Sequence, residues 1–513
     1  MKKYIAIFSV ALLAVFSASC TKEFENVQNT SRLTGTEAAE MVEQDPSFLS
    51  SYINGLYSWM VAFNTVGSSS GPHDDFGHLS IGMIGDLMGQ DIAIAGSWNW
   101  GTYDINHDYG QSNWTRPLQL WNFYYTLIKQ CNDIIDFFPA DQDPVNATLR
   151  GYLGQAYALR AMSYYYLIQL FQDPAKGDYP SPAFNAEAPG VPLVFAARDG
   201  KTTEEVAALS GRNTLQIVCD QIELDLAAAL PLLEGYKRPT KNEVDYNVAQ
   251  GIAARYYLLT QQWNKAITAA KAAQTGYDIM DRERLYSGFM EIEDKEVLWG
   301  FNHTAETQTT YASFFSHMGN DCYGYGGIGQ SVRTIDASLY NAIPDSDWRK
   351  GLFNTPAGDP TAPYTGGKMP YANRKFGVMD GYLQDYLFMR NAEMVLIEAE
   401  AHARLSDGQA ASTLATLMAK RNPSWTSNGS LEEVLFQRRV ELWGEGFEYF
   451  DLRRNAKGVN RKYEGSNHST NAQYEFKAHA KSWNFQIPLR EMQNNIYITD
   501  EEQNEWITGT EEE

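Results

Sequence analysis

Cysteine is scarce in this chain: four thiols in 513 residues, at Cys20, Cys131, Cys219 and Cys322. With Cys20 set aside for the reason given below, three remain, and an odd remainder is no disulfide framework. Cys131 and Cys219 lie within helical apolar patterns and read as small core residues. Beyond residue 19 no apolar stretch approaches the roughly 20 residues that a membrane-spanning helix needs. Cations are in deficit as well, 41 Lys and Arg against 63 Asp and Glu, for a net charge of -22. Such a surface repels phosphate backbones and anionic membranes, so nucleic acid is not an expected partner. The chain carries no His-Glu-x-x-His pattern and no phosphate-binding loop, and none of its acids sits in a specific catalytic motif. A glycoside hydrolase needs two carboxylates across a sugar bond, one with a raised pKa. Among so many acids some pairing is inevitable, so hydrolysis is the lesser alternative. No motif indicates a cofactor, and none is expected.

What is present begins at the N-terminus. Met1-Lys2-Lys3 supplies positive charge, Tyr4 to Phe16 is almost continuous hydrophobe, and Ser17-Ala18-Ser19-Cys20 closes with small residues. That order describes an export signal over residues 1–19. Removing Lys2 and Lys3 with it takes the net charge to -24. The cysteine at the cut looks like a bacterial lipobox, in which Cys20 is lipidated and becomes the new N-terminus; an ordinary secretory signal is the alternative. Lipid chains contribute roughly 0.8 kcal/mol per buried CH₂, enough in combination to hold a soluble body at a bilayer surface. Residues 20–35 (CTKEFENVQNTSRLTG) are polar and read as a tether.

The body, 44% hydrophobic and 20% charged, is globular in composition. Its pattern is mainly helical. Trp121, Tyr124, Ile128, Cys131, Ile135 and Phe138 recur at spacings of three and four along one helix face. Leu149 to Leu170 repeats the pattern until Asp173-Pro174 stops it. A third helix spans about Leu215 to Leu233. Ala254, Tyr257, Trp263, Ala266, Ala270 and Ala273 share their spacing with Ala399, His402, Gly408, Ala411, Ala415 and Met418, displaced by 145 residues. Small residues at such intervals let antiparallel helices pack closely, as in a tetratricopeptide-type hairpin. Between helices lie irregular stretches at 64–113, 302–331, 354–381 and 455–482. Stretches this long inside a compact body are usually functional.

Several segments together resemble the SusD/RagB family of outer-membrane nutrient-binding lipoproteins from Bacteroidetes. They are Gln437-Arg438-Arg439-Val440-Glu441-Leu442-Trp443-Gly444-Glu445-Gly446, running on to Arg454, and Arg390-Asn391-Ala392-Glu393 to Ala401. Weaker matches are Trp114 to Asn132, Gly154 to Phe171, the Asp225–Leu233 helix, Glu296-Val297-Leu298-Trp299 and Trp483 to Asn494. Gln437 and Glu448 depart from the family's usual Glu and Arg, which puts a local ion pair in doubt. The resemblance implies a mainly α protein: a tetratricopeptide-like helical-repeat scaffold with long irregular loops and a loop-rich C-terminal half. It divides the mature chain into a SusD-like region with an aromatic loop (36–290) and a RagB/SusD C-terminal region on the same scaffold (291–513). It further implies an oligosaccharide-binding, or in some branches peptide-binding, partner of a SusC-type TonB-dependent transporter, anchored at the outer-membrane surface by lipid alone, and it implies no catalysis.

Residue by residue, the signature segments read as structural. Ser430 with Glu433 is a capping-box pattern. Leu435, Arg438 and Leu442 share a face, so Arg438 needs a buried acid, Asp451 or Glu445. Ala392, Val395, Leu396, Ala399 and Ala403 form an inner stripe. Ligand contacts are expected instead from Trp98, Trp100 and Tyr103 with Asn99 and Asp104, and from Tyr311, Tyr323 and Tyr325. Sugar C–H faces pack on flat rings, and amides and carboxylates take hydroxyls; the same rings could equally wedge loops onto helices. His73-Asp74-Asp75-Phe76-Gly77-His78 has residue types that bind divalent ions, and Asp321 with the 354–361 loop could suit calcium. Both serve equally as turn residues, and no metal is assigned.

Overall fold

The computed structural model describes residues 41–512, apart from 43, 44, 46, 68–71, 97–100, 141, 308 and 378–381. Met1–Ser50 and Ser51–Glu513 are two compact units. In the first, the Asp45 carboxylate accepts the Ser47 N–H at 2.9 Å, shaping the turn before Phe48. The principal helices of the second are α1 (His78–Met88), α2 (Thr115–Ile135), α3 (Ala147–Leu170), α4 (Leu215–Leu233) and α5 (Tyr246–Leu259). They continue with α6 (Trp263–Gln274), α7 (Asn391–Leu405), α8 (Ala410–Met418), α9 (Leu431–Glu441) and α10 (Glu448–Arg454). Sequence neighbours pack on one another: α2 on α3, α3 on α4, α5 on α6, α6 on α7, and α7 on α8 and α9. This is the mainly α, tetratricopeptide-like scaffold that the spacing predicts.

Side-chain caps start many of these helices. The Asn146 side chain accepts from Thr148 N–H (2.8 Å), Asp245 from Val248 N–H (3.0 Å) and Ser430 from Glu433 N–H (3.3 Å). The predicted box at Ser430 closes on one side only. Glu433 turns away, and its Oε1 accepts from Trp425 Nε1 (2.6 Å) and Gln437 Nε2 (3.0 Å). Trp121, Tyr124, Ile128, Cys131, Ile135 and Phe138 are all buried, as are Cys219 and Cys322. Ala392, Val395, Leu396 and Ala399 form one core with Leu414, Leu417, Val434 and Leu442, and Ala403 packs against its edge. The α5–α6 and α7–α8 hairpins sit where the repeated spacing puts them. Their registers differ, however: Ala415 is exposed while Leu414 and Leu417 are buried. Leucine, with more surface to hide, wins the inward position.

The stretch 64–113 is less irregular than its sequence implies. It contains α1 and the strand β1 (Ile92–Ala95). Glycine at 82 and 85 weakens the helical signal, but both are needed for contact. A Cβ on Gly82 would lie 2.9 Å from Gly446 Cα, and one on Gly85 3.0 Å from Tyr449 Cβ. The longer strands that follow are β2 (Val297–Phe301), β3 (Val332–Ile335) and β4 (Tyr386–Arg390). β1 pairs antiparallel with β3, Ile92 opposite Ile335 and Ala95 opposite Val332, and β2 pairs with β4.

Beneath the β2–β4 ribbon lies a buried ionic lattice. Arg390 donates to Glu445 (2.8 and 2.7 Å) and to Glu296, and Arg421 to Glu441 (2.8 and 2.9 Å). Arg349 is held by Asp347 (3.0 and 2.6 Å), and Lys375 by Glu445 at 2.5 Å. All are buried except Glu445, which is largely so, and the four cations match the four carboxylates. Burial raises the Glu441 pKa, and the Arg421, Arg390 and Arg349 charges overturn that, holding it well below the usual range. Glu296, Arg390 and Glu441 come from three separated signature segments, so those segments are joined by charge. Arg438 takes Asp451 (2.7 Å) as its acid; Glu445 belongs to the lattice instead. Gln437 and Glu448 also find partners. Gln437 accepts from Arg349, and Glu448 from the N–H groups of Gln90 (2.6 Å) and Asp91 (3.0 Å).

Candidate functional site

The β1–β3 ladder brings two aromatic stretches side by side. Gly96, just after β1, packs against the Gly329 and Gln330 carbonyls, where a Cβ would meet oxygen at 2.5 and 2.8 Å. Trp98, Asn99 and Trp100 lie outside the described residues. Tyr103 stands on the short helix Thr102–Ile105 and is 47% exposed. Its ring centroid is 4.1 Å from that of Tyr109, which meets Trp114 edge-on at 4.4 Å. Trp114 is 42% exposed. In the second stretch Tyr323 is 64% exposed, Tyr311 half-buried and Tyr325 buried. Tyr311 lies 5.9 Å from Tyr323 and 4.5 Å from Tyr325, centroid to centroid. Tyr382 donates its hydroxyl to the Tyr323 carbonyl.

A buried polar bridge joins the two sets. Arg116, in the first turn of α2, donates to both Asp104 oxygens (2.9 and 2.8 Å) and to Asp74 (2.6 Å). Next to Asp74, the His73 Nδ1 contacts the Tyr325 hydroxyl. The His317 ring stacks on Tyr325 at 4.6 Å, and its Nε2 meets the His73 carbonyl at 3.1 Å. Burial pushes Asp104 up to about 6 against the pull of Arg116. Burial also raises Asp74, but the Arg116 charge and hydrogen bond outweigh it and leave that carboxyl lowered. Burial pushes His317 down to about 4, so it is neutral at pH 7.

This geometry divides the predicted residues. Tyr103 and Tyr323 offer faces to solvent. Asp104 is turned inward and committed to Arg116, so it is no free acceptor for a hydroxyl. Tyr325 is a floor beneath Tyr311 rather than an open platform. Tyr109, Trp114, Tyr382, His73 and His317 complete the arrangement, and sequence reasoning did not single them out as contacts. Tyr109 and Trp114 had composition as their signal; Tyr382 had none, lying just past a stretch named as a loop.

The His73–His78 motif does not converge on one point. Asp75 accepts from Thr65 Oγ1 (2.9 Å), and His78 is enclosed by Phe123, Tyr124, Tyr166 and Phe388. Burial drives His78 down to about 3. Beside the 354–361 loop, Arg374 bridges Asp321 (2.9 Å) and Asp359 (2.6 Å), so a cation already sits between those acids. Among the described residues no group of three or more His, Cys, Asp or Glu could hold a metal ion, and no helix is long and apolar enough to cross a membrane.

Comparison with known proteins adds to this geometry. The family model SusD-like_3, described as "Starch-binding associating with outer membrane", matches residues 79–258, and the SusD family model SusD_RagB matches 361–505. No curated protein matches the chain. Among solved structures it is similar to a SusD-like carbohydrate binding protein from Bacteroides vulgatus ATCC 8482, at 23% identity and TM-score 0.72, over 89% of this chain and 97% of that one. It is similar also to a SusD superfamily protein from Bacteroides thetaiotaomicron VPI-5482, at 19% identity and TM-score 0.69, over 92% and 100%. A third is surface glycan-binding protein A from Bacteroides uniformis, at 19% identity and TM-score 0.64, over 90% and 99%. With two models of one family matched in order along it, and with the helical scaffold of that family's solved members, this chain belongs to the SusD/RagB family.

Proposed function

We propose that this protein is a cell-surface lipoprotein, anchored through Cys20, that binds oligosaccharides and delivers them to a SusC-like TonB-dependent outer-membrane transporter. The observation that supports the reading is the pair of aromatic sets, Tyr103–Tyr109–Trp114 and Tyr311–Tyr323–Tyr325, with Arg116 bound both to Asp104 beside Tyr103 and to Asp74 beside His73, the partner of Tyr325. Exposed rings supply stacking faces for sugar C–H surfaces. A floor that is already hydrogen-bonded costs little to organise on binding. Trp98, Asn99 and Trp100 extend the first set in sequence and belong to the proposed surface. The glycan-binding names of its structural relatives agree with this reading. Capture is reversible and needs no bond chemistry. Isothermal titration of the chain lacking residues 1–20 against glycan and peptide panels tests it: saturable glycan binding is expected. Saturable peptide binding without any glycan response would move the protein to the peptide-binding branch.

A further inference from the structure

Four stretches of chain carry the aromatic surface and the His73–Asp74 bridge within it: 64–78, 96–115, 302–331 and 376–386. Together they hold eight Asp and Glu and not one Lys or Arg. The whole chain has 41 cations to 63 acids, so the local bias goes well beyond the general one. The C-terminus adds to it. Gly509 N–H donates to the His107 carbonyl (3.2 Å), which brings Glu511 close to Asp108. Burial, and then the Glu511 charge, raise the Asp108 pKa against an Asn106 hydrogen bond.

Cations that approach from other segments are buried or already paired. Arg116 is 7% exposed and bound to Asp104 and Asp74. Arg333 is 1% exposed; a Cβ on Gly101 would lie 3.8 Å from its Nη2, so its guanidinium sits under the first aromatic set. Arg374 is held between Asp321 and Asp359. At the outer edge Leu489 N–H bonds the Ser112 carbonyl (2.9 Å), and Arg490 there is followed by Glu491, so that corner adds no net charge. Side chains that do reach solvent beside the rings are acidic: Asp74 (29% exposed), Asp321 (24%) and the half-buried Asp108.

We infer, on the reading that this surface binds oligosaccharide, that its ligands are uncharged glycans and that uronate, sulfated and sialylated chains are rejected by charge. A carboxylate or sulfate group brought to the rings loses hydration without gaining a guanidinium or ammonium partner. It also enters a field of its own sign. A neutral chain keeps its stacking on the tyrosine faces, and its hydroxyls, as donors, suit a negative surface.

Titration of the purified full-length protein against two panels tests the inference. The neutral panel is maltohexaose, cellohexaose and mannohexaose; the anionic panel is hexagalacturonate and the hexasaccharides of hyaluronan and heparin. Saturable binding is expected from the neutral panel alone. An anionic chain bound as tightly as the best neutral one would overturn the inference while leaving the oligosaccharide reading in place. No binding from either panel would overturn both. The neutral chain that binds is then compared with its uronate form, the primary alcohols oxidised to carboxylates. In roughly 0.01 M sodium chloride, where the screening length is about 30 Å, the uronate form should bind at least about tenfold more weakly. Most of that gap should close at roughly 1 M, where the length is about 3 Å. A gap indifferent to salt would assign the discrimination to shape and overturn the role of charge. Asp321→Asn, which frees Arg374 from one of its acids, should narrow the low-salt gap, whereas Glu204→Gln, the same change of charge on the 203–209 helix, should not. Equal effects of the two would assign the rejection to overall net charge and overturn the assignment to this surface.

Discussion

Single residues separate into those that grip and those that brace. Tyr323, 64% exposed and tilted against Tyr311 at 5.9 Å, can lose its ring at little structural cost. Tyr323→Ala should therefore weaken glycan binding by about 1–3 kcal/mol, as stacking platforms do on truncation, with Tm nearly unchanged; a large fall in Tm at constant affinity would show the ring to be core. Glu441 is the opposite case. It is buried and serves Arg349, Arg390 and Arg421 together. Glu441→Gln leaves an unmatched positive charge out of reach of water, and urea unfolding should register a loss of about 3–5 kcal/mol. The site was only partly legible at this scale. Exposed tyrosines could be proposed from composition and loop placement, but exposure itself is a tertiary property. Asp104 read as a hydroxyl acceptor because nothing local announces that Arg116, twelve residues on, folds back over it. The Asp74 contact, forty-two residues from Arg116, is more remote still.

At the level of elements, the most legible helices were those whose apolar faces run uninterrupted. Leu215 and Leu233 mark both ends of α4 as the sequence suggested, with Thr214 as cap. α1 was hidden because its glycines serve a contact that lies in another part of the chain. Gly446 has φ +87°, and a Cβ there would come within 2.6 Å of Gly82 Cα. Gly446→Ala should thus combine left-handed strain of about 1–2 kcal/mol with an overpacking cost of about 1–3 kcal/mol. Gly408, at φ +79° with nothing within 4 Å of the added carbon, offers the control. Gly408→Ala should show the strain alone, and thermal melts of the two variants measure the difference. If both lose the same stability, the approach of α1 to the 444–446 turn is not tight. The repeat register failed at Ala415 for a related reason. Matched spacing recorded small residues, whereas packing is decided by the leucines beside them.

The whole molecule holds titrating groups with opposing effects. His78 and His107 are pushed by burial down to about 3, while Asp86 is pushed up to about 7. Between pH 6.5 and 3 the unfolded chain binds protons that the folded histidines refuse, so each histidine makes stability fall as pH falls. Asp86 works the other way, binding its proton in the folded state from pH 7 down, so its contribution fades as pH rises. Replacing one buried histidine isolates its share. The stability of His78→Phe relative to the parent should improve on acidification below pH 6.5, approaching about 1.4 kcal/mol per pH unit, in urea titrations at several pH values. A parallel pair of profiles would show that His78 is already protonated in the native state. The ionic lattice under the β2–β4 ribbon has one more consequence. Mobile ions have little access to it, so dissolved salt weakens those pairs far less than pairs at the surface, whereas the surplus of negative charge on the exterior is open to shielding. Raising sodium chloride toward roughly 1 M, where the screening length is about 3 Å, should therefore lift the melting temperature, and a protein that melted earlier in brine would owe its cohesion to pairs at its surface.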